Sequence, residues 1–242
     1  MIGGFIITGS APKRVLIRGL GPSLTASGLA DVVSDPTLQL FGTNGQIAFV
    51  DDWHDLQEVE IEDTGLEPGD DREPALIATL NPDSYTAVIS GKAGTTGVGL
   101  LEVYDLNSSS GSRLANISTR GSVKTQENVM IGGFILGGSI QQPARVVVRA
   151  LGPSLAQAGV NGPLGNPTLQ LVDSNGQIVG FNDDWQDDSA QAAQLQSLTL
   201  APTMPGESAI VATLPPGLYT AIVAGQAGGT GVGLIEVYDV QP

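Results

Sequence analysis

Short apolar runs of period two recur along this chain, each closed by Gly, Pro, Asn or Asp, and that pattern predicts β-strands joined by tight turns. The clearest instance is DPTLQLFGTNGQIAFVDDW, from Asp35 to Trp53, which returns as NPTLQLVDSNGQIVGFNDDW from Asn166 to Trp185. Each copy sets two alternating runs about an Asn-Gly dipeptide. Asn and Gly tolerate the positive φ angles of a type I′ turn, so each copy predicts a tight hairpin. Pairing outward from Asn44-Gly45 puts Leu38 opposite Asp51 and gathers Asp35, Asp51 and Asp52 at the open end. The second hairpin gathers Asn166, Asn182, Asp183 and Asp184 in the same way.

The hairpin belongs to a longer duplication. MIGGFIITGS (1–10) aligns with MIGGFILGGS (130–139), RVLIRGLGPSL (14–24) with RVVVRALGPSL (145–155), and EPALIATL (73–80) with ESAIVATL (207–214). SYTAVISGKAGTTGVGLLEVYDL (84–106) aligns with LYTAIVAGQAGGTGVGLIEVYDV (218–240). Met1 therefore matches a residue inside a strand of the second copy, which suggests a numbering that starts partway into a longer precursor. About seven short strands per copy, some continuously apolar and some alternating, predict an all-β chain of two tandem antiparallel β-sandwich, jelly-roll-like domains. The expected division is 1–106 for the first sandwich, 107–129 for a linker with one further strand, and 130–242 for the second. Ser189–Leu198 comes nearest to helical spacing and has no counterpart in the first copy.

Composition narrows the partners. A net charge of −15 disfavours nucleic acid and anionic membrane surfaces and suits divalent cations. Between Asp51 and Glu73, eleven acids face only Arg72 and His54, and such a run reads first as a solvated loop. Without cysteine there are no disulfides, thiolate zinc sites or thiol nucleophiles. No stretch is apolar for long enough to insert in a bilayer.

Calcium wants six to eight oxygens in a flexible array. Asp35, Asp51 and Asp52 offer three carboxylates in the first copy, with Glu73 a further candidate. Asn166, Asn182, Asp183 and Asp184 form the second set, with Glu207 matching Glu73. Each acid can equally cap local backbone N–H groups. Trp53 and Trp185 follow the Asp pairs and read as plugs closing a sandwich core more readily than as sugar-stacking platforms. His54 is replaced by Gln186, so no acid–base constellation recurs, and the glycine-rich loops lack the spacing of a phosphate-binding motif. Arg18 and Arg149 are expected to pair with Glu102 and Glu236. Asn107-Ser108-Ser109 and Asn116-Ile117-Ser118 match a glycosylation acceptor pattern, one that occurs often by chance.

One strand exists only once. Arg113, Leu114, Ala115, Asn116, Ile117, Ser118 and Thr119 open a run to Gly121 that either pairs in one copy or is donated between domains. Whichever copy lacks it keeps an open edge, a template for another chain, unless the missing copy of the strand lies upstream of residue 1.

The run DPTLQLF…NGQI…DDW, then EPALIATL, then YTAVISG…GVGLLEVYD, together with SRLANISTRG, VMIGGF and RVLIRGLGPSL, resembles repeats carried in tandem by large secreted bacterial proteins. More distantly, the part from the hairpin to YTA is similar to the bacterial pre-peptidase C-terminal β-sandwich domains. That resemblance implies an extracellular, non-catalytic module that often binds calcium. The expected function is a structural subunit of a surface fibre, matrix or adhesin stalk. It would form a homo-polymer through head-to-tail contacts, with no nucleic acid and no membrane insertion. The alternative is a carbohydrate-binding module with a glycan partner.

Overall fold

The computed structural model describes residues 1–108, 111–126, 128–137 and 142–240. The chain is all-β with antiparallel sheets and divides into two compact units, Met1–Leu114 and Ala115–Pro242.

The first unit contains strands β1 (Ile2–Gly9), β2 (Lys13–Leu20), β3 (Pro36–Gly42) and β4 (Gly45–Val50), a one-turn helix α1 (Glu58–Glu62), then β5 (Ala75–Leu80), β6 (Asp83–Gly91) and β7 (Leu100–Asp105). One sheet runs β4-β3-β6-β1 and the other β5-β2-β7. Their inner faces meet in one core: Phe5 and Ile7 from β1, Val15 and Ile17 from β2, Leu38 and Leu40 from β3, and Ala87 and Ile89 from β6. The two-residue period does this, since alternate side chains of each strand point to the same face.

Strand β8 (Ser112–Val123) begins in the first unit, where Leu114 packs on that core, and runs into the second. There follow β9 (Met130–Leu136), β10 (Ala144–Leu151), β11 (Pro167–Asp173), β12 (Ile178–Asn182), helix α2 (Ser189–Ser197), β13 (Ser208–Leu214), β14 (Gly217–Gly225) and β15 (Gly231–Asp239). Sheets β12-β11-β14-β9 and β13-β10-β15-β8 face each other over a core that includes Phe134, Val146, Val148, Leu169, Leu171, Val223 and Ile235. The single strand pairs with β15 from Asn116↔Tyr238 to Val123↔Gly231. Asn116 is buried there and donates to Val237 O at 3.0 Å, so the folded strand withholds it from glycosylation.

The continuous apolar runs are explained by a second, smaller core on the outer face of the central strand. Leu16 and Val147 point away from the main cores, each toward a tryptophan and a helix: Trp53 and Ile61 in the first unit, Trp185 and Leu195 in the second. Helix α1 is thus a short counterpart of α2 inside the acidic excursion, which the sequence reads as loop alone. Gln57 and Gln191 secure the two helices by accepting from the strand amides of Ile77 and Val211. Trp53 and Trp185 are plugs, 6% and 7% exposed.

The hairpin register differs from the expected one. Leu38 faces Val50, not Asp51, because the hairpin closes on Gly42↔Gly45, two residues short of the expected Gly42↔Ile47 pair, and a bulge between Leu40 and Phe41 restores only one of them. The second copy bulges at the matching place, between Leu171 and Val172. Neither Asn44 nor Asn175 has a positive φ; Gly45 and Gly176 alone take that conformation, so the turns are not type I′. At Asp173–Gln177, the Gly176 and Asp173 amides close a three-residue loop ending in a left-handed glycine, and the bulge then returns the strands to the outward pairing, with Leu169 facing Asn182.

After β2 and β10 the chain turns through Leu-Gly-Pro-Ser-Leu into a 3-10 turn, Pro22–Ser27 and Pro153–Ala158. A Cβ on Gly21 would stand 2.1 Å from Val33 O, and one on Gly152 2.2 Å from Leu164 O. Gly152→Ala must therefore displace backbone, and a urea melt is expected to report a loss of about 2 kcal/mol or more.

Candidate metal centre

The bulged hairpins still bring the predicted acids together. One carboxylate oxygen each of Asp35, Asp51 and Asp52 lies within 4.8 Å of the others. Asp35 immediately precedes β3, Asp51 and Asp52 follow β4, and the antiparallel pairing of β3 with both β4 and β6 brings Lys92 alongside. Lys92 Nζ donates to Asp51 Oδ2 at 2.5 Å and lies 3.8 Å from Asp35 Oδ2. The bond to Asp51 holds the ammonium pKa above its ordinary value. What remains is the Oδ1 atom of all three aspartates, buried and without a hydrogen-bond partner. Burial, then the charges of Asp51 and Asp55, push the Asp52 carboxyl up, with Lys92 opposing.

The second unit builds the same corner with amides. Asn166 Nδ2 donates to Gln226 Oε1 at 2.7 Å, and Gln226 Nε2 donates to Asp183 Oδ2 at 2.6 Å. Exchange of the Asp35–Lys92 pair for Asn166–Gln226 preserves the bridge while removing one charge of each sign. The leftover atoms match: Asn166 Oδ1 and Asp183 Oδ1 are buried without partners. Asp184 Oδ1 and Asn166 Oδ1 lie 3.8 and 3.9 Å from where a Cβ on Gly206 would stand, so they open on the same space. Burial, then Asp183 and Asp187, push the Asp184 carboxyl up. Among the described residues, five of the seven buried side-chain polar atoms left without a partner belong to these two corners. Buried polar atoms are rarely left so, and carboxylate and amide oxygens are the donors that a hard cation takes.

The other candidates are placed differently. Glu73 is fully buried, and its Oε1 accepts from Gly21 N (2.7 Å), Ser23 N (2.9 Å) and Ser23 Oγ (2.7 Å). Glu207 does the same for Gly152 N (3.0 Å), Ser154 N (2.9 Å) and Ser154 Oγ (2.5 Å). Both carboxylates cap the 3-10 turns, where the first N–H groups have no helical partner. Asn182 accepts from Ala209 N at 2.8 Å and donates to Asp184 O at 2.9 Å, fastening β12 to β13. Ile117, Ser118 and Thr119 pair with Val237, Glu236 and Ile235, while Leu114 sits on the first core.

Arg18 bonds Glu102 at 2.5 Å, and Arg149 pairs with Glu236, as their spacing implied. Each guanidinium lies 5.1 Å from the centre of a tyrosine ring, Tyr104 or Tyr238. Burial, then Glu236, pushes the Tyr238 phenol up to about 12. His54 stacks on Trp53 and bonds Glu58 and Asp71; these bonds outweigh burial and raise its pKa. Two structural residues were missed. Lys13 is fully buried on Asp105 (2.8 Å) and Asn107 O (2.8 Å), and Lys92 completes the first corner. The coordinated exchange of Asp35 with Asn166 and Lys92 with Gln226 was the signal for the second of these.

No helix among the described residues is long and apolar enough to cross a membrane. No family model and no curated protein sequence matches the chain. Among solved structures, it is distantly similar to the pre-peptidase C-terminal domain of a collagenase from Bacillus anthracis, at 12% identity over 51% of this chain and 89% of that one, with a TM-score of 0.32. It is also similar to a chain in the atomic structure of Sulfolobus turreted icosahedral virus, at 10% identity over 99% of this chain and 88% of that one, with a TM-score of 0.28.

Proposed function

We propose that this chain is a non-catalytic structural module of an extracellular fibre, matrix or adhesin stalk. Its duplicated halves act as tandem jelly-roll-like sandwiches of the kind repeated in large secreted bacterial proteins. Ca²⁺ at the Asp35/Asp51/Asp52 and Asn166/Asp183/Asp184 corners ties the end of each hairpin to the neighbouring strand. The observation that carries this reading is the matched set of buried, partnerless Oδ1 atoms in both copies. Assembly is supported by apolar side chains on outer strands: Phe49 and Phe181 are 51% and 57% exposed, and Ile131 and Ile135 57% and 66%. Such surfaces mark interaction sites.

Two experiments separate the parts. Electron microscopy of concentrated chain with calcium is expected to show filaments; monomers at every concentration would remove the assembly claim. Thermal melting is expected to show a higher midpoint in calcium than in chelator, with Asp52→Asn losing most of the first unit's share.

The same variant gives a pH test. Because the folded Asp52 pKa is raised, its charge opposes folding above that pKa, and the opposition fades as pH falls through it. In chelator, Asp52→Asn is therefore expected to be more stable than wild type at neutral pH, with the difference shrinking on acidification. A gap that grows on acidification would contradict the raised pKa.

A further inference from the structure

The nine residues GVGLLEVYD (97–105) and GVGLIEVYD (231–239) differ at one position, yet they form strands of different length. β15 spans Gly231–Asp239, whereas β7 spans only Leu100–Asp105. Near-identical sequence makes intrinsic propensity an unsuitable cause. The difference is the neighbour: β15 lies between β10 and β8, whereas β7 is the end of its sheet, paired with β2 alone among the described residues. The cores register the same difference. Ile235 is 2% exposed, and Val123 from β8 closes the core beside it at 1%. Its counterpart Leu101 is only partly buried at the margin of the first core.

We infer that the free edge of β7 is an acceptor for an extended strand of the Ser112–Val123 type, presented by a neighbouring module of the same repeat. This rests on the structural-module reading above and specifies its partner. The register follows from the second unit. Glu102 would face the serine of the incoming ANIST segment, as Glu236 faces Ser118, and Leu100 would face its second arginine, as Leu234 faces Arg120. The asparagine would donate to Val103 O as Asn116 does to Val237 O. Glu102 and Asp105 of β7 are already paired, with Arg18 and Lys13, so the match is one of strand register and not of charge. Main-chain ladder bonds supply affinity and the alternate side chains supply specificity.

The test is hydrogen exchange on the whole chain at low concentration, with a synthetic SRLANISTRGSV peptide. Amide exchange across Leu100–Asp105 is expected to slow about tenfold or more at saturation. The same peptide with proline in place of its one threonine, Thr119→Pro, is expected to give no protection. Unchanged exchange in β7 at saturating peptide would overturn the inference. So would a change confined to β15, which marks replacement of the chain's own β8. Protection of β7 in a chain that never forms filaments would uphold the acceptor edge while removing the fibre.

Discussion

Glu207→Ala is expected to lower the urea midpoint of the second unit sharply, a loss of about 3–5 kcal/mol. The carboxylate is fully buried and takes three bonds on one oxygen, two of them from backbone amides at the start of a 3-10 turn. Truncation leaves Gly152 N and Ser154 N buried without their acceptor, in a turn whose glycine has no room to move. Glu207→Gln keeps an acceptor oxygen and should recover most of the loss. Glu73→Ala is expected to act likewise on the first unit, through Gly21 and Ser23. Equal effects of the alanine and glutamine variants would mean that the turn does not depend on that acceptor.

Trp185→Ala is the second large effect. The indole is 7% exposed, packs with Val147, Leu195 and Ala209, and donates from Nε1 to Met204 O at 3.2 Å. Removing a buried aromatic of this size costs about 3–5 kcal/mol, because the cavity beneath a short helix closes only in part. The measurement also addresses carbohydrate binding. A stacking platform needs an exposed ring, so a sugar site would lose ligand while keeping its stability. A stable Trp185→Ala protein would therefore argue against the plug.

Much of the fold was legible because the chain states its pattern twice. Alternation located most of the strands, and loop differences between the copies marked the connections. Register was less legible. The dipeptide Asn44-Gly45 announces a turn, but the closing pair Gly42↔Gly45 and the bulge at Leu40/Phe41 depend on how the strands twist together, which residue types do not encode. Helix α1 was hidden for a related reason. Five residues with one buried apolar side chain, Ile61, give no measurable period. The acids of the corners were found because strand pairing brings their ends together. The caps were not, since Glu73 and Ser23 are fifty residues apart in sequence and only the completed sandwich joins them. Matched Glu and Gly-Pro-Ser positions in both copies were the available clue.

The acidic corners decide the account. Isothermal titration of metal-stripped chain with CaCl₂ is the most direct measurement. Saturable binding of one ion per repeat is predicted, with Asp51→Asn/Asp52→Asn removing the first site and Asp183→Asn/Asp184→Asn the second. Heats of dilution alone, from wild type and variants alike, would contradict it.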